Sequence, residues 1–235
     1  IGLAVSEALG VAGARVLLSS RHAHNVERAV TQLRGRGLKV GGVTCHVGHA
    51  QDREKLVQTA LDTFGAIDIL VSNAAVNPHL GPALDASESI WDKVFQVNVT
   101  AAAMLVQLVV PYMEKRGGGS IILMSSIAGY RPMPGLGPYS VSKAALLGLV
   151  QVLSPELLPR GIRVNGVAPG IIQTRFSAAV KGAGAGGRGQ GVGGVREELG
   201  TPQDVAEVVT FLCSPGASYV SGETLVVSGG APARL

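Results

Sequence analysis

Tyr139 and Lys143 stand four residues apart in Tyr-Ser-Val-Ser-Lys, directly after Pro138. Proline suits the first turn of a helix, and an i,i+4 spacing then puts both side chains on one helix face. An ammonium held near a phenol favours the phenolate, and is expected to draw the tyrosine down from its usual ~10 towards neutrality. A tyrosine so tuned can give a proton to a carbonyl being reduced or take one from an alcohol being oxidised. A solvated helix face shows the same spacing by chance, so the residues around the pair decide between the two.

Thirteen residues before Tyr139, the apolar run Ile121-Ile122-Leu123-Met124 ends in Ser125-Ser126. A hydroxyl at the carboxyl end of a buried strand points into the crevice where open α/β sheets bind ligands; the alternative for Ser126 is an ordinary turn serine. Asn73, in Ser-Asn-Ala-Ala, follows a second apolar segment at 68–72. Asn98 lies inside an otherwise apolar helical stretch, where an amide needs a partner or a purpose. Pro169-Gly170 follows a third apolar segment at 162–167. All of these features are expected at one crevice.

The elements that must position them alternate. Strands are predicted at 16–19, 40–45, 68–72, 120–125, 162–167 and 224–227. Helices are predicted at 3–9, 25–36, 52–64, 90–115, 138–158 and 204–212. Strand–helix alternation argues for right-handed βαβ units and a doubly wound parallel sheet. The unbroken apolar character of 121–124 fits a strand buried on both faces.

Composition bounds the function classes. Charged residues are 15% and apolar ones 46% of the 235, the reverse of a disordered chain. Residues 1–235 suit one domain, since single α/β domains run to roughly 250 residues. The net charge of +4 is scattered, with neither basic blocks nor interleaved aromatics, so nucleic-acid binding is not expected. The longest apolar stretch, 101–113, is shorter than the ~20 residues of a membrane span. No secretory leader is expected either, because residues 1–14 lack a basic lead and a cleavage site. Cys45 and Cys213 are far apart and outside any CxxC or Cys/His grouping, so free thiols and no metal site are expected.

Taken in order, Asn73-Ala74-Ala75, Asn98, Ser126, Tyr139-x-x-x-Lys143 and Pro169-Gly170 resemble the short-chain dehydrogenase/reductase superfamily. Its members reduce carbonyls or oxidise alcohols with a nicotinamide cofactor. The segments Ser19-Ser20-Arg21, Cys45-His46-Val47 and the run from Val71 to Pro78 are similar to its peroxisomal NADP-dependent retinol dehydrogenase/carbonyl reductase branch. The resemblance implies a Rossmann-type fold with Tyr139 as general acid/base and Lys143 on the nicotinamide ribose. It implies Ser126 on the substrate carbonyl and Asn98 anchoring a proton-relaying water. The implied cofactor contacts are Gly2, Ser20, Arg21, His46 and Val47, then Asn73, Ala74 and Ala75. Pro169, Gly170, Ile172 and Thr174 complete them with Tyr139 and Lys143. A hydrophobic aldehyde, ketone or alcohol of the retinal or aromatic-ketone type is the implied substrate, and a homotetramer the implied assembly.

Charge supports NADP(H) over NAD(H). A carboxylate at the end of the strand would suit the ribose 2′-hydroxyl of NAD, and an arginine suits the 2′-phosphate of NADP. The position reads Ser20-Arg21, and the first acid after it is Glu27. Arg21 facing plain solvent is the alternative.

Three departures from the family accompany the resemblance. Its TGxxxGxG fingerprint is represented by Ile1-Gly2 alone. The chain as written is therefore expected to lack the first, central strand and to be part of a longer protein. Weak cofactor binding is expected too, because the missing glycines let the backbone approach a pyrophosphate. That leaves a second class of function, a catalytically silent truncated paralogue acting as a binding or interaction protein. The usual adenine-facing acid is His46, which could equally be a surface residue. Eight glycines fall within 181–194, where the family covers its substrate, so a flexible lid or an unrelated stretch is expected there. The terminal Ala233-Arg234-Leu235 resembles the S-K-L address read by the peroxisomal import receptor, with cytoplasmic or mitochondrial residence as the alternative.

Overall fold

Strand and helix alternate through residues 1–174, 177 and 199–231, the residues that the computed structural model describes. The glycine-rich tract 181–194 and Ala233-Arg234-Leu235 lie outside them. The order runs α1 (Gly2–Val11), β1 (Val16–Ser20), α2 (Ala23–Arg34), β2 (Val40–Thr44), α3 (Ala50–Phe64) and β3 (Ile69–Ser72). It continues with α4 (Glu88–Phe95), a π-helical turn (Gln96–Thr100), α5 (Ala101–Lys115), β4 (Gly119–Met124), α6 (Ile127–Tyr130) and α7 (Gly137–Leu157). β5 (Ile162–Pro169), α8 (Pro202–Cys213) and β6 (Thr224–Val227) complete it.

All strand pairs are parallel. β1 pairs with β2, and a separate four-stranded sheet has the order β3-β4-β5-β6. The division falls between β1 and β3, where the sequence reading places the missing central strand. β1 and β3 therefore each have one neighbour, and Leu17, Leu18, Ile69, Leu70 and Val71 stay half-buried. In contrast, Ile121, Ile122 and Leu123 of β4 are fully buried.

The strand period sorts β4 between two cores. Ile121 and Leu123 join Val57 of α3, Val106 and Met113 of α5 and Val150 of α7. Ile122 and Met124 turn the other way, towards Val5 and Leu9 of α1 and Val209 and Leu212 of α8. Successive side chains of a strand point to opposite faces, so an all-apolar run is needed wherever helices cover both. Each such side chain contributes about 1.5–3 kcal/mol by leaving water.

Two boundaries differ instructively from the sequence reading. α8 starts at Pro202 rather than 204 because Thr201 and Asp204 form a reciprocal capping box, which satisfies two N–H groups of the first turn. The π-turn joins α4 to α5, so Glu88–Lys115 is one helical run of 28 residues, and Gly137–Arg160 is another of 24. Both are long and apolar enough to cross a membrane, which the apolar stretch 101–113 alone is not. In this fold they spend that apolar character on the sheet, through Val106, Val109, Leu146 and Val150.

Candidate active site

The carboxyl ends of β1 to β5 open onto one cavity of about 950 Å³. Parallel strands all present their carboxyl ends on the same edge, so residues distant in sequence meet there. Ser20 and Arg21 reach it from β1, His46 and Val47 from β2, and Asn73, Ala74 and Ala75 from β3. Ser126 enters from β4, Tyr139 and Lys143 from α7, and Pro169, Gly170, Ile172 and Thr174 from β5 and the segment after it.

Lys143 is 3% exposed. Its Nζ donates to the Met124 carbonyl at 2.7 Å and lies 5.5 Å from the centre of the Tyr139 ring. An ammonium has three donors, and those not taken by Met124 are available to hydroxyl groups in the cavity. Two contacts hold α7 against the end of β4. The Ser125 hydroxyl donates to the Lys143 carbonyl at 2.7 Å. Gly129 of α6 comes so close that a β-carbon there would stand 2.8 Å from the Lys143 carbonyl group. Ser126 caps α6, its Oγ accepting the Ala128 N–H at 3.1 Å, and it also hydrogen-bonds the Tyr139 phenol.

The titration expected from the sequence is corrected here. Burial pushes the Tyr139 phenol up to about 12, with the Ser126 hydrogen bond opposing the rise. Burial also pushes Lys143 down to about 8. Burial penalises the phenolate more than the surrounding groups favour it, so desolvation decides the direction of the shift. Tyr139 therefore rests as the neutral phenol, the form that donates a proton.

Asn98 belongs to the π-turn, and its amide is committed to protein groups. Its Oδ1 accepts the Val76 N–H at 2.8 Å, and Nδ2 donates to the Val76 carbonyl and the Ser142 hydroxyl, both at 3.0 Å. The side chain thus braces the loop after β3 against α7, and its two N–H donors are not free to hold a water. Gly2 has a packing reason of its own. A β-carbon at Gly2 would come within 2.9 Å of Asn73 Nδ2, so Gly2 packs behind Asn73 while Ile1 lines the cavity.

The side chains at the β1–β2 end fit a phosphorylated nucleotide. Arg21 and Ser20 offer donors for a phosphate, and His46 lies beside them, 3.4 Å from Lys93. Burial lowers the His46 pKa, and His49, Lys93 and Arg21 lower it further by charge. Among the described residues no carboxylate lines the cavity to repel an anion. The opposite end is apolar, walled by Leu80, Met133, Pro134 and Leu136. A nicotinamide cofactor supplies the hydride chemistry when bound. Within the same cavity the Ser126 hydroxyl and the Tyr139 phenol are hydrogen-bonded to one another, so both could reach one carbonyl oxygen placed there.

Several participants carry little sequence signal. The Met124 carbonyl, Ser125, Ser142 and the wall residues are read from contacts alone, although Ser125 and Ser142 each adjoin a residue already singled out. Among the described residues there is no cluster of His, Cys, Asp and Glu that could hold a metal ion.

A family described as Enoyl-(Acyl carrier protein) reductase matches residues 1–232. The chain is 53% identical over 245 aligned positions to dehydrogenase/reductase SDR family member 4 of Mus musculus, covering 100% of this chain and 84% of that one. A 7α-hydroxysteroid dehydrogenase solved with NADH and 7-oxo glycochenodeoxycholic acid superposes with a TM-score of 0.88 at 32% identity, covering 100% and 92% of the two chains. An actinorhodin polyketide ketoreductase solved with NADPH gives 0.89 at 29%, covering 97% and 91%.

Proposed function

Because the chain belongs to the short-chain dehydrogenase/reductase family of oxidoreductases, we propose that it transfers a hydride between NADP(H) and a hydrophobic aldehyde, ketone or alcohol. The carrying observation is the position of Tyr139, Ser126 and Lys143 between a basic end bearing Arg21 and an apolar end bearing Met133 and Leu136. Tyr139 acts as general acid in reduction and general base in oxidation, and the apolar wall favours retinal-like or aromatic carbonyls over small polar ones. NADPH oxidation against a panel of such carbonyls tests this. The expected result is turnover that falls by roughly 10²–10⁴-fold in Tyr139→Phe; undiminished turnover in that variant overturns the assignment.

The division of the sheet between β1 and β3 favours a second reading, a silent binding protein that retains the catalytic side chains. NADPH titration by calorimetry separates the two, since absence of binding at millimolar nucleotide favours the silent protein. We propose further that the enzyme works as a homotetramer in peroxisomes, with Ala233-Arg234-Leu235 engaging the import receptor. A reporter fused to residues 225–235 should become peroxisomal; cytosolic or mitochondrial distribution removes that proposal.

A further inference from the structure

We infer that Ser142 is a positioning residue of the reductase site, coupling Asn98 to the helix turn that carries Tyr139 and Lys143. The inference rests on the proposed reductase reading. Ser142 is fully buried, three residues after Tyr139 and one before Lys143. Its hydroxyl proton goes to the Tyr139 carbonyl at 2.7 Å. A helical serine bonding back to the carbonyl three or four residues earlier is ordinary behaviour. What is not ordinary is the second bond on the same oxygen, the Asn98 Nδ2 donor at 3.0 Å.

These bonds form one directed chain. The Val76 backbone exchanges two bonds with the Asn98 amide, Asn98 donates to Ser142, and Ser142 donates to Tyr139. Val76 lines the cavity, as does Tyr139. The chain therefore ties one wall of the cavity to the backbone of the residue that moves the proton. A buried amide N–H left without its acceptor seeks another, and the Asn98 side chain can turn about its own torsions to find one. Ser142→Ala should let Asn98 turn and Val76 drift relative to Tyr139, without altering any group that touches the nucleotide phosphate. A misplacement below about 1 Å near a reacting centre is enough to slow chemistry roughly 10- to 100-fold.

The test is a double-substitution cycle of Ser142→Ala and Asn98→Ala in the full chain, with kcat, the KM for NADPH and thermal unfolding all measured. The expected result for Ser142→Ala is a fall in kcat of roughly ten-fold or more with the KM for NADPH within two-fold. In the Asn98→Ala background the same change should cost no further kcat. If the alanine variant fails to fold, the near-isosteric Ser142→Cys, which keeps the shape and weakens both bonds, should itself lower kcat with the KM for NADPH within about two-fold, and unchanged kcat there overturns the inference. Equal, additive losses in both backgrounds, or a lowered Tm with kcat unchanged, overturn the inference. Hydrogen exchange of the Asn98 side-chain amide gives a readout independent of turnover. Its protons should exchange at least ten-fold faster in Ser142→Ala, and unchanged exchange overturns the coupling. A parent chain inactive on every carbonyl would defeat the reductase reading, while the exchange measurement still decides the coupling.

Discussion

Lys143 should be a site where function is kept at the expense of stability, and Lys143→Met exposes that cost. The ammonium is 3% exposed and burial brings it down from 10.5 to about 8. At about 1.4 kcal/mol per unit, that displacement destabilises the folded protein by about 3 kcal/mol at pH 7, where both states carry the proton. Methionine has a similar shape and no charge, but it forfeits the hydrogen bond to the Met124 carbonyl, a loss of about 1–2 kcal/mol. The net expectation at pH 7 without nucleotide is a gain of about 1–2 kcal/mol, or a Tm higher by about 2–6 °C. The sign with pH follows from the depressed folded value. Between about 8 and 10.5 the unfolded chain binds the extra proton, so the parent becomes more stable as pH rises through that window. Near pH 10 the remaining cost is about 1 kcal/mol, and the variant should fall level with the parent. Calorimetric melting of both proteins from pH 7 to 10 is the assay. A lower Tm for Lys143→Met at pH 7, or a difference that ignores pH, would refute the reasoning.

Three further outcomes follow from the same structure. Arg21→Asp should lower the NADPH-over-NADH preference in kcat/KM roughly 10- to 100-fold, the worth of a charge-assisted hydrogen bond, and an unchanged preference would place the phosphate elsewhere. Gly129→Ala puts a β-carbon 2.8 Å from the Lys143 carbonyl group and 3.0 Å from the Ala144 nitrogen; since backbone cannot yield as a side chain does, stability should fall about 1–3 kcal/mol, together with kcat. Thr201→Val removes the hydroxyl half of the α8 capping box and leaves the backbone N–H of residue 201 on Asp204; it should cost about 1 kcal/mol in urea unfolding, with kcat unchanged.

The fold was largely legible because strands and helices announce themselves through local periodicity. The run 121–124 is apolar at every position because helices pack on both its faces, and that pattern survives in the sequence. Boundaries set by side-chain-to-backbone contacts were less visible, as with α8, whose start depends on whether Thr201 and Asp204 fold back on one another. The helical run over 90–115 was legible, but the π-turn inside it was hidden for a related reason. A π-turn is a change in hydrogen-bond partner that Gln96–Thr100 need not betray by composition.

The sequence by itself determined the inventory of the site. Tyr139, Lys143, Ser126 and Asn73 stand out by type and spacing, Arg21 by its charge at a strand end and His46 through the family resemblance, and parallel strands bring their positions to one edge whatever the packing details. Tertiary structure alone decided what state those groups are in. How far burial shifts Lys143 and Tyr139, and that the Asn98 amide engages Val76 and Ser142, depend on desolvation and on partners tens of residues away. Spacing along the chain reports direction on a helix, but the dielectric and the hydrogen-bond partners around a buried group are properties of the folded assembly of elements.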